Sequence, residues 1–157
     1  MATPTELILA QAQSQLTRQE AKLTAFRTTA GTVIGTGGIV AGLVASRLSS
    51  SISVAGYLFA GLAAVAFLLG IGAAIKVLAP KGGYRFSENL ASYATWLDTY
   101  GGQPGADASF ALGLATSLNQ DRIGNETLLN DAANALYLCC ILLGVQIAFW
   151  VIAVVVA

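Results

Sequence analysis

The amino-acid sequence predicts an all-α, polytopic membrane protein with three transmembrane helices and long cytoplasmic helical extensions. Hydrophobic residues make up 55% of the chain and charged residues 10%, whereas about a quarter of the residues are charged in ordinary soluble domains. Three apolar runs, each long enough to cross a bilayer, begin near positions 29, 54 and 135. The composition therefore identifies lipid as the main solvent, and we expect one membrane domain over residues 1–157.

The first element is predicted to be one long helix over residues 4–48 that continues from water into the first span. Thr3, Pro4 and Glu6 form a helix start, with a capping hydroxyl, proline at the first helical position and a carboxylate three residues after the cap. Apolar residues then recur every seven positions and predict a narrow seam on the cytoplasmic part of the helix. The seam residues are Leu9, Leu16 and Leu23.

A stripe of small residues runs along one face of the first span. Its members lie alternately four and three positions apart, which places them on one helix face. They are Gly31, Gly35, Gly38, Gly42, Ala45 and Ser49, called here the glycine stripe. In a membrane such a face lets another helix backbone approach closely. The sequence therefore predicts that the glycine stripe is a helix-packing face.

The second span is predicted over residues 54–78, after a short polar turn, and it carries a similar stripe. The members of this second stripe are Gly56, Ala60, Ala63, Phe67, Gly70 and Ala74. We expect the first two spans to form an antiparallel hairpin in which the two small faces meet.

Residues 80–134 are predicted to form a cytoplasmic insert and helix. A cluster beginning at Pro80 ends the second span, and an amphipathic helix is expected over residues 87–100. After a glycine-rich turn, Asp107 is expected to cap a long helix whose second half, residues 135–157, is the third span. Its polar half is predicted to present a solvated or inter-subunit face with Asp121, Arg122, Asn125 and Asn130.

Basic residues predict the orientation of the chain in the membrane. Most of them flank the start of the first span and the end of the second, while the turn between these spans holds Arg47 alone. Cytoplasmic loops carry an excess of Lys and Arg. The N-terminus is therefore expected in the cytoplasm.

The sequence disfavours enzyme activity, bound cofactors and nucleic-acid binding. There is no histidine, and eight basic residues balance eight acidic ones. The cysteines, Cys139 and Cys140, are adjacent in an apolar run and lack the spacing of a metal site. Buried packing is favoured for them over palmitoylation.

Two groups of residues are candidates for a functional role. Gln146, Thr32 and Thr36 are polar residues inside spans, where they are expected either to form interhelical hydrogen bonds or to line a pore. Tyr93 and Trp96 are expected either to anchor a helix at the membrane interface or to form a ligand or partner surface.

The segment Gln19-Glu20-Ala21-Lys22-Leu23 precedes the glycine-rich span. Together with the order of polar helix, hairpin, insert and final span, it resembles the small transmembrane effectors of bacterial cyclic-nucleotide immunity, the Pycsar-type effectors and their relatives in the SLATT group. In those families an acidic residue followed by Ala-Lys precedes the first span, and Glu20, Ala21 and Lys22 occupy that place here. The resemblance implies a bacterial inner-membrane protein that oligomerises and impairs the bilayer during anti-phage defence. A cyclic nucleotide or a protein would be its trigger.

Three functions remain open from the sequence. The first is this oligomeric membrane effector, whose partners are the lipid bilayer and further copies of the chain. The second is an accessory subunit of a larger membrane complex. The third is a phage lysis protein of the holin type, which the apolar end at Ala157 disfavours.

Overall fold

The computed structural model describes residues 4–47, 53–79, 83–85, 95–96, 98–99, 103 and 105–156. In this part of the chain there are three long helices and no strand: α1 (Pro4–Arg47), α2 (Val54–Leu78) and α3 (Ala106–Val155). Each of the three is long and apolar enough to cross a membrane. The all-α class and the three membrane-span-like helices predicted from the sequence are confirmed.

Local chemistry accounts for both ends of α2. The Ser53 hydroxyl caps the start by accepting a hydrogen bond from the Gly56 N–H at 3.1 Å, which satisfies one of the free donors of the first turn. At the other end the Ala79 N–H reaches the Ile75 carbonyl at 2.8 Å. Pro80 follows in the sequence and cannot continue the helix.

α3 does not begin with the Asp107 cap that the sequence predicts. The helix begins at Ala106, so Asp107 lies in its first turn. The Gly105 carbonyl accepts from the Ser109 N–H at 3.1 Å, and Gly105 has φ +79°, a left-handed backbone conformation that glycine adopts without strain. Glycine geometry therefore starts this helix. The Asp107 carboxylate in the first turn still complements the helix dipole.

Contacts divide the chain into two compact units. The first comprises Met1–Leu23 and Lys81–Asn130, and the second Thr24–Pro80 and Asp131–Ala157. In the first unit, Leu16 and Leu23 of the seam are 3% and 4% exposed, and Leu9 is half-buried. Gln19 lies on the same face and donates from Nε2 to the Arg122 carbonyl at 3.0 Å. The seam face of α1 is therefore the buried face of this segment.

The second unit is a bundle of all three helices, called here the span bundle. Near one end Ala30 packs with Ala73, Val77 and Cys139, and towards the other end Val44 packs with Ala63 and Ala153. From the first of these contact groups to the second, the residue numbers increase along α1 and along α3, and they decrease along α2. In the bundle α1 and α3 therefore run in the same direction, and α2 runs against both.

The two small-residue stripes differ in their burial. The stripe of α2 faces inward, with Gly56, Ala63, Gly70 and Ala74 buried. The described members of the glycine stripe are exposed instead. The expectation that the small faces of the first two spans meet is therefore wrong. The face that α1 turns inward carries a different set of residues, which comprises Ala30, Val33, Ile34, Gly37, Val40, Ala41 and Val44.

The amphipathic helix expected over residues 87–100 lies largely outside the described residues. Positions 95–96 and 98–99 are helical. The Trp96 ring lies 4.8 Å, centroid to centroid, from the ring of Phe110, so Trp96 packs on the start of α3. Tyr93 lies outside the described residues, and so does Ser49 of the glycine stripe.

Candidate assembly face and interhelical polar contact

A buried amide joins α1 and α3 in the middle of the span bundle. The Gln146 side chain is 1% exposed, and its Nε2 donates to the Gly37 carbonyl oxygen at 2.9 Å. An amide in hydrocarbon is costly unless it is hydrogen-bonded. Of the two roles that the sequence allows for Gln146, the described contact is the interhelical one.

Gly37 leaves little room for a side chain at this contact. A methyl group built on it would lie 3.0 Å from Gln146 Oε1 and 3.0 Å from Phe67 Cε2, closer than carbon atoms approach in ordinary packing. The absence of a side chain therefore lets Phe67 of α2 and Gln146 of α3 close on the α1 backbone. Sequence reasoning missed Gly37, which lies beside the glycine stripe but on another face. The sequence does contain a pattern that places Gly37 on the packed face: it lies three residues before Val40 and seven before Val44, a spacing that puts all three on one side of the helix.

The interior beside this contact has little free room. A cavity of about 10 Å³ is lined by Phe67, Gly70, Cys139 and Gln146, among others. This volume holds about one water molecule. Cys139 is buried there and its thiol donates to the Gly70 carbonyl at 3.5 Å, whereas Cys140 is exposed. This cavity has room for about one water molecule and is too small for an organic ligand.

The three polar residues grouped by the sequence lie in two places. Thr32 and Thr36 are on the exposed side of α1, away from Gln146. The Thr32 hydroxyl donates to the Thr28 carbonyl of its own helix at 3.1 Å, and Thr28 and Thr29 bond back to the preceding turn in the same way. Because these hydroxyls are satisfied within the helix, this side of α1 can face lipid or another helix at low cost.

The glycine stripe is an open backbone surface. Methyl groups built at Gly31, Gly35 and Gly42 would meet no atom of the described residues within 4 Å, and one at Gly38 would meet only Phe67 Cζ at 3.8 Å. Taking about 100° per residue, the stripe is centred roughly 120° round α1 from the face packed in the bundle. α1 therefore has one face packed within the chain and a separate small-residue face that the chain leaves uncovered.

In the first unit Asn125 is the polar residue that sequence reasoning placed wrongly. The polar half of α3 was expected to be a solvated or inter-subunit face, yet Asn125 is 1% exposed and pairs with the backbone of Arg85. Asn130 is exposed, and Asp121 and Arg122 are half-buried. Among the described residues, no group of three or more His, Cys, Asp or Glu side chains could hold a metal ion.

Comparison of the chain with protein-family models, with curated proteins and with solved structures finds no match.

Proposed function

We propose that this chain is a bacterial inner-membrane protein that assembles into a homo-oligomer through the glycine stripe of α1 and, once assembled, permeabilises the membrane as a defence effector. The observation that carries the proposal is the exposure of the glycine stripe. Small residues at this spacing favour close helix contact in lipid, and the chain packs α1 through a different face.

The remaining surface of the span bundle supports a membrane setting. Large apolar side chains are exposed on all three helices, with Ile39 at 65%, Leu68 at 66% and Val151 at 57%. Exposed apolar area of this extent is unfavourable in water and ordinary in lipid. The resemblance of the Glu20-Ala21-Lys22 region to bacterial transmembrane effectors supports the defence role and the permeabilising step.

Replacing Gly42 with leucine tests the assembly. No described atom lies within 4 Å of a methyl group at Gly42, so Gly42→Leu leaves the packing within the chain intact. The added isobutyl group would separate two helices that meet at this face. We expect the mass of the purified detergent complex to fall from that of an oligomer to that of a single chain.

Gly61→Leu is the matched control, since Gly61 is an exposed glycine of α2 that is equally open. It makes the same chemical change outside the glycine stripe, and we expect the oligomer to survive. An oligomer of unchanged size in Gly42→Leu would refute assembly through the stripe.

Controlled expression in a bacterial host, with a dye that reports membrane potential, tests the permeabilising step. We expect wild-type and Gly61→Leu protein to depolarise the cells and Gly42→Leu protein to leave the potential intact. Intact potential with wild-type protein that purifies only together with another membrane complex would instead identify an accessory subunit.

A further inference from the structure

The charged residues of the spans mark two levels that are one bilayer core apart. Arg27 and Arg47 enclose a stretch of α1 without a charged residue, and they are 20 positions apart, which is about 30 Å of helix and equals the thickness of the hydrocarbon core. On α2, Lys76 is next to Val77, which packs with Ala30 in the span bundle. When α1 crosses the bilayer, Arg27 and Lys76 therefore lie at the headgroups of the same leaflet.

Arg27 has a buried guanidinium nitrogen without a partner. The residue is half-buried, its Nε is buried, and no atom in the described part of the chain accepts the Nε hydrogen. In contrast, Arg122 of the first unit lies 3.7 Å from the Glu126 carboxylate, and its Nε donates to Asn119 at 3.1 Å. A half-buried cation without a counter-ion is unfavourable, above all next to hydrocarbon. An anion from outside the described residues would remove this cost.

The position of Arg27 favours the phosphate of a lipid as that anion. A long side chain on a helix leans towards the N-terminus of the helix, which for Arg27 is away from the apolar part of α1. A guanidinium group can donate from Nε and from one Nη to two oxygens of a phosphate. The charged residues of the second unit at this end are Arg27, Lys76 and Asp131. Their net charge is positive, which favours a headgroup with a net negative charge.

We propose that Arg27 is the headgroup-binding residue of a site for an anionic phospholipid, in which Nε and one Nη donate to the phosphodiester group. The acyl chains lie on exposed apolar side chains at this end of the bundle, such as Leu78. The site rests on the membrane setting of the proposed function and is independent of assembly through the glycine stripe.

Native mass spectrometry of the full-length protein in non-ionic detergent counts the lipids that each chain binds. The probes are phosphatidylglycerol and phosphatidylcholine with the same acyl chains, which both contain a phosphodiester but differ in net charge. We expect wild-type protein to bind phosphatidylglycerol about tenfold more tightly than phosphatidylcholine, and Arg27→Gln to lose this preference. The same preference in both proteins would overturn the proposal.

Two further variants separate a site from general attraction to basic residues. Lys76→Gln is the matched control, because it makes the same change of charge at the same end of the bundle on an exposed residue, and we expect wild-type affinity for phosphatidylglycerol. A loss as large as that of Arg27→Gln would overturn a site at Arg27. Arg27→Lys keeps the charge but lacks the Nε–H donor, so we expect weaker binding than in wild type. Wild-type affinity in this variant would overturn the role of Nε.

Thermal unfolding in detergent gives an independent readout. Phosphatidylglycerol should raise the midpoint of the wild type and not that of Arg27→Gln. Without lipid, Arg27→Gln should unfold at the wild-type midpoint or above it, because the change removes a charge that has no partner among the described residues. A lower midpoint without lipid would show that Arg27 is bound within the chain and would overturn the proposal.

Two comparisons identify the ligand and its relation to assembly. Inorganic phosphate at the lipid concentration should leave the wild-type midpoint unchanged. Stabilisation by phosphate equal to that by phosphatidylglycerol would identify a site for a free anion and would overturn the lipid. Gly42→Leu should bind phosphatidylglycerol as the wild type does, even as a single chain. The lipid site and the assembly through the glycine stripe can therefore fail separately.

Discussion

At the scale of single residues, Gly37 should be the glycine of α1 that tolerates a side chain least. Gly37→Ala places a methyl group 3.0 Å from Gln146 Oε1 and from the Phe67 ring, so both side chains must move and the Gln146 hydrogen bond is strained. Overpacking of this kind costs about 1–3 kcal/mol. We expect a lower midpoint in thermal unfolding in detergent, followed by circular dichroism.

Gly61→Ala is the control for this prediction. Gly61 is an exposed glycine of α2 outside the glycine stripe, with open space around the added methyl group, and alanine is favoured over glycine in a helix by up to about 1 kcal/mol. We expect an unchanged or higher midpoint. Equal losses in both variants would contradict the contact between Gly37 and Gln146.

Sequence reasoning identified Gln146 but not its acceptor, and the reason is physical. An amide within an apolar run must find a hydrogen-bond partner, so Gln146 is conspicuous in the sequence. The roles of Gly37 and Asn125 depend on which residues face them in the structure. Which residues face them depends in turn on the rotation of each helix about its axis. α1 carries both a small-residue face and a face with Val33, Val40 and Val44. Either face could pack within the chain, so the sequence alone could not choose between them.

At the scale of helices, lengths and ends are largely encoded in the local sequence. The expected second span, residues 54–78, coincides with α2 because Ser53 caps its start and Pro80 follows its end. Helix pairing is encoded less directly, as the two stripes show. The seam of α1 is nevertheless buried in the first unit, which leads to a test of its register on α3.

Cysteines placed at Leu16 and Leu118 should form a disulfide under mild oxidation. Both side chains are buried in the first unit, and they lie three and four residues before the hydrogen-bonded pair Gln19 and Arg122. If α1 and α3 run parallel in this unit, as they do in the span bundle, the two positions are level, since each is about 5 Å along its helix from that bond. We expect efficient cross-linking of this pair on a background in which Cys139 and Cys140 are replaced by alanine.

The pair Leu23 and Leu118 is the register control. Leu23 is as well buried as Leu16 but lies seven residues further along α1, a displacement of about 10 Å. We expect little cross-linking of this pair. Cross-linking of Leu23 in preference to Leu16 would show that the register, and with it the parallel pairing of α1 and α3 in this unit, is wrong.

At the scale of the whole molecule, the span bundle determines which helix ends lie at the same end of the bundle. The Ser53 hydroxyl donates to the Val156 carbonyl, so the start of α2 and the end of α3 lie at the same end of the bundle. α1 runs parallel to α3 there. If all three helices cross the bilayer, positions before the first span lie on the opposite side from Ser53. The positive-inside bias of the sequence predicts that these positions are in the cytoplasm.

Thiol labelling of intact cells tests this topology. Ala55 and Ser14 are both exposed, one at the start of α2 and the other in the polar part of α1, so single cysteines at these positions, on the background without Cys139 and Cys140, are open to reagent. We expect a membrane-impermeant maleimide to label Ala55→Cys in intact cells, and Ser14→Cys only after permeabilisation, because an odd number of spans separates the two. Labelling of both from outside would mean that α1 does not cross the bilayer. Its glycine stripe could then not assemble in lipid, and the proposed function would fail with it.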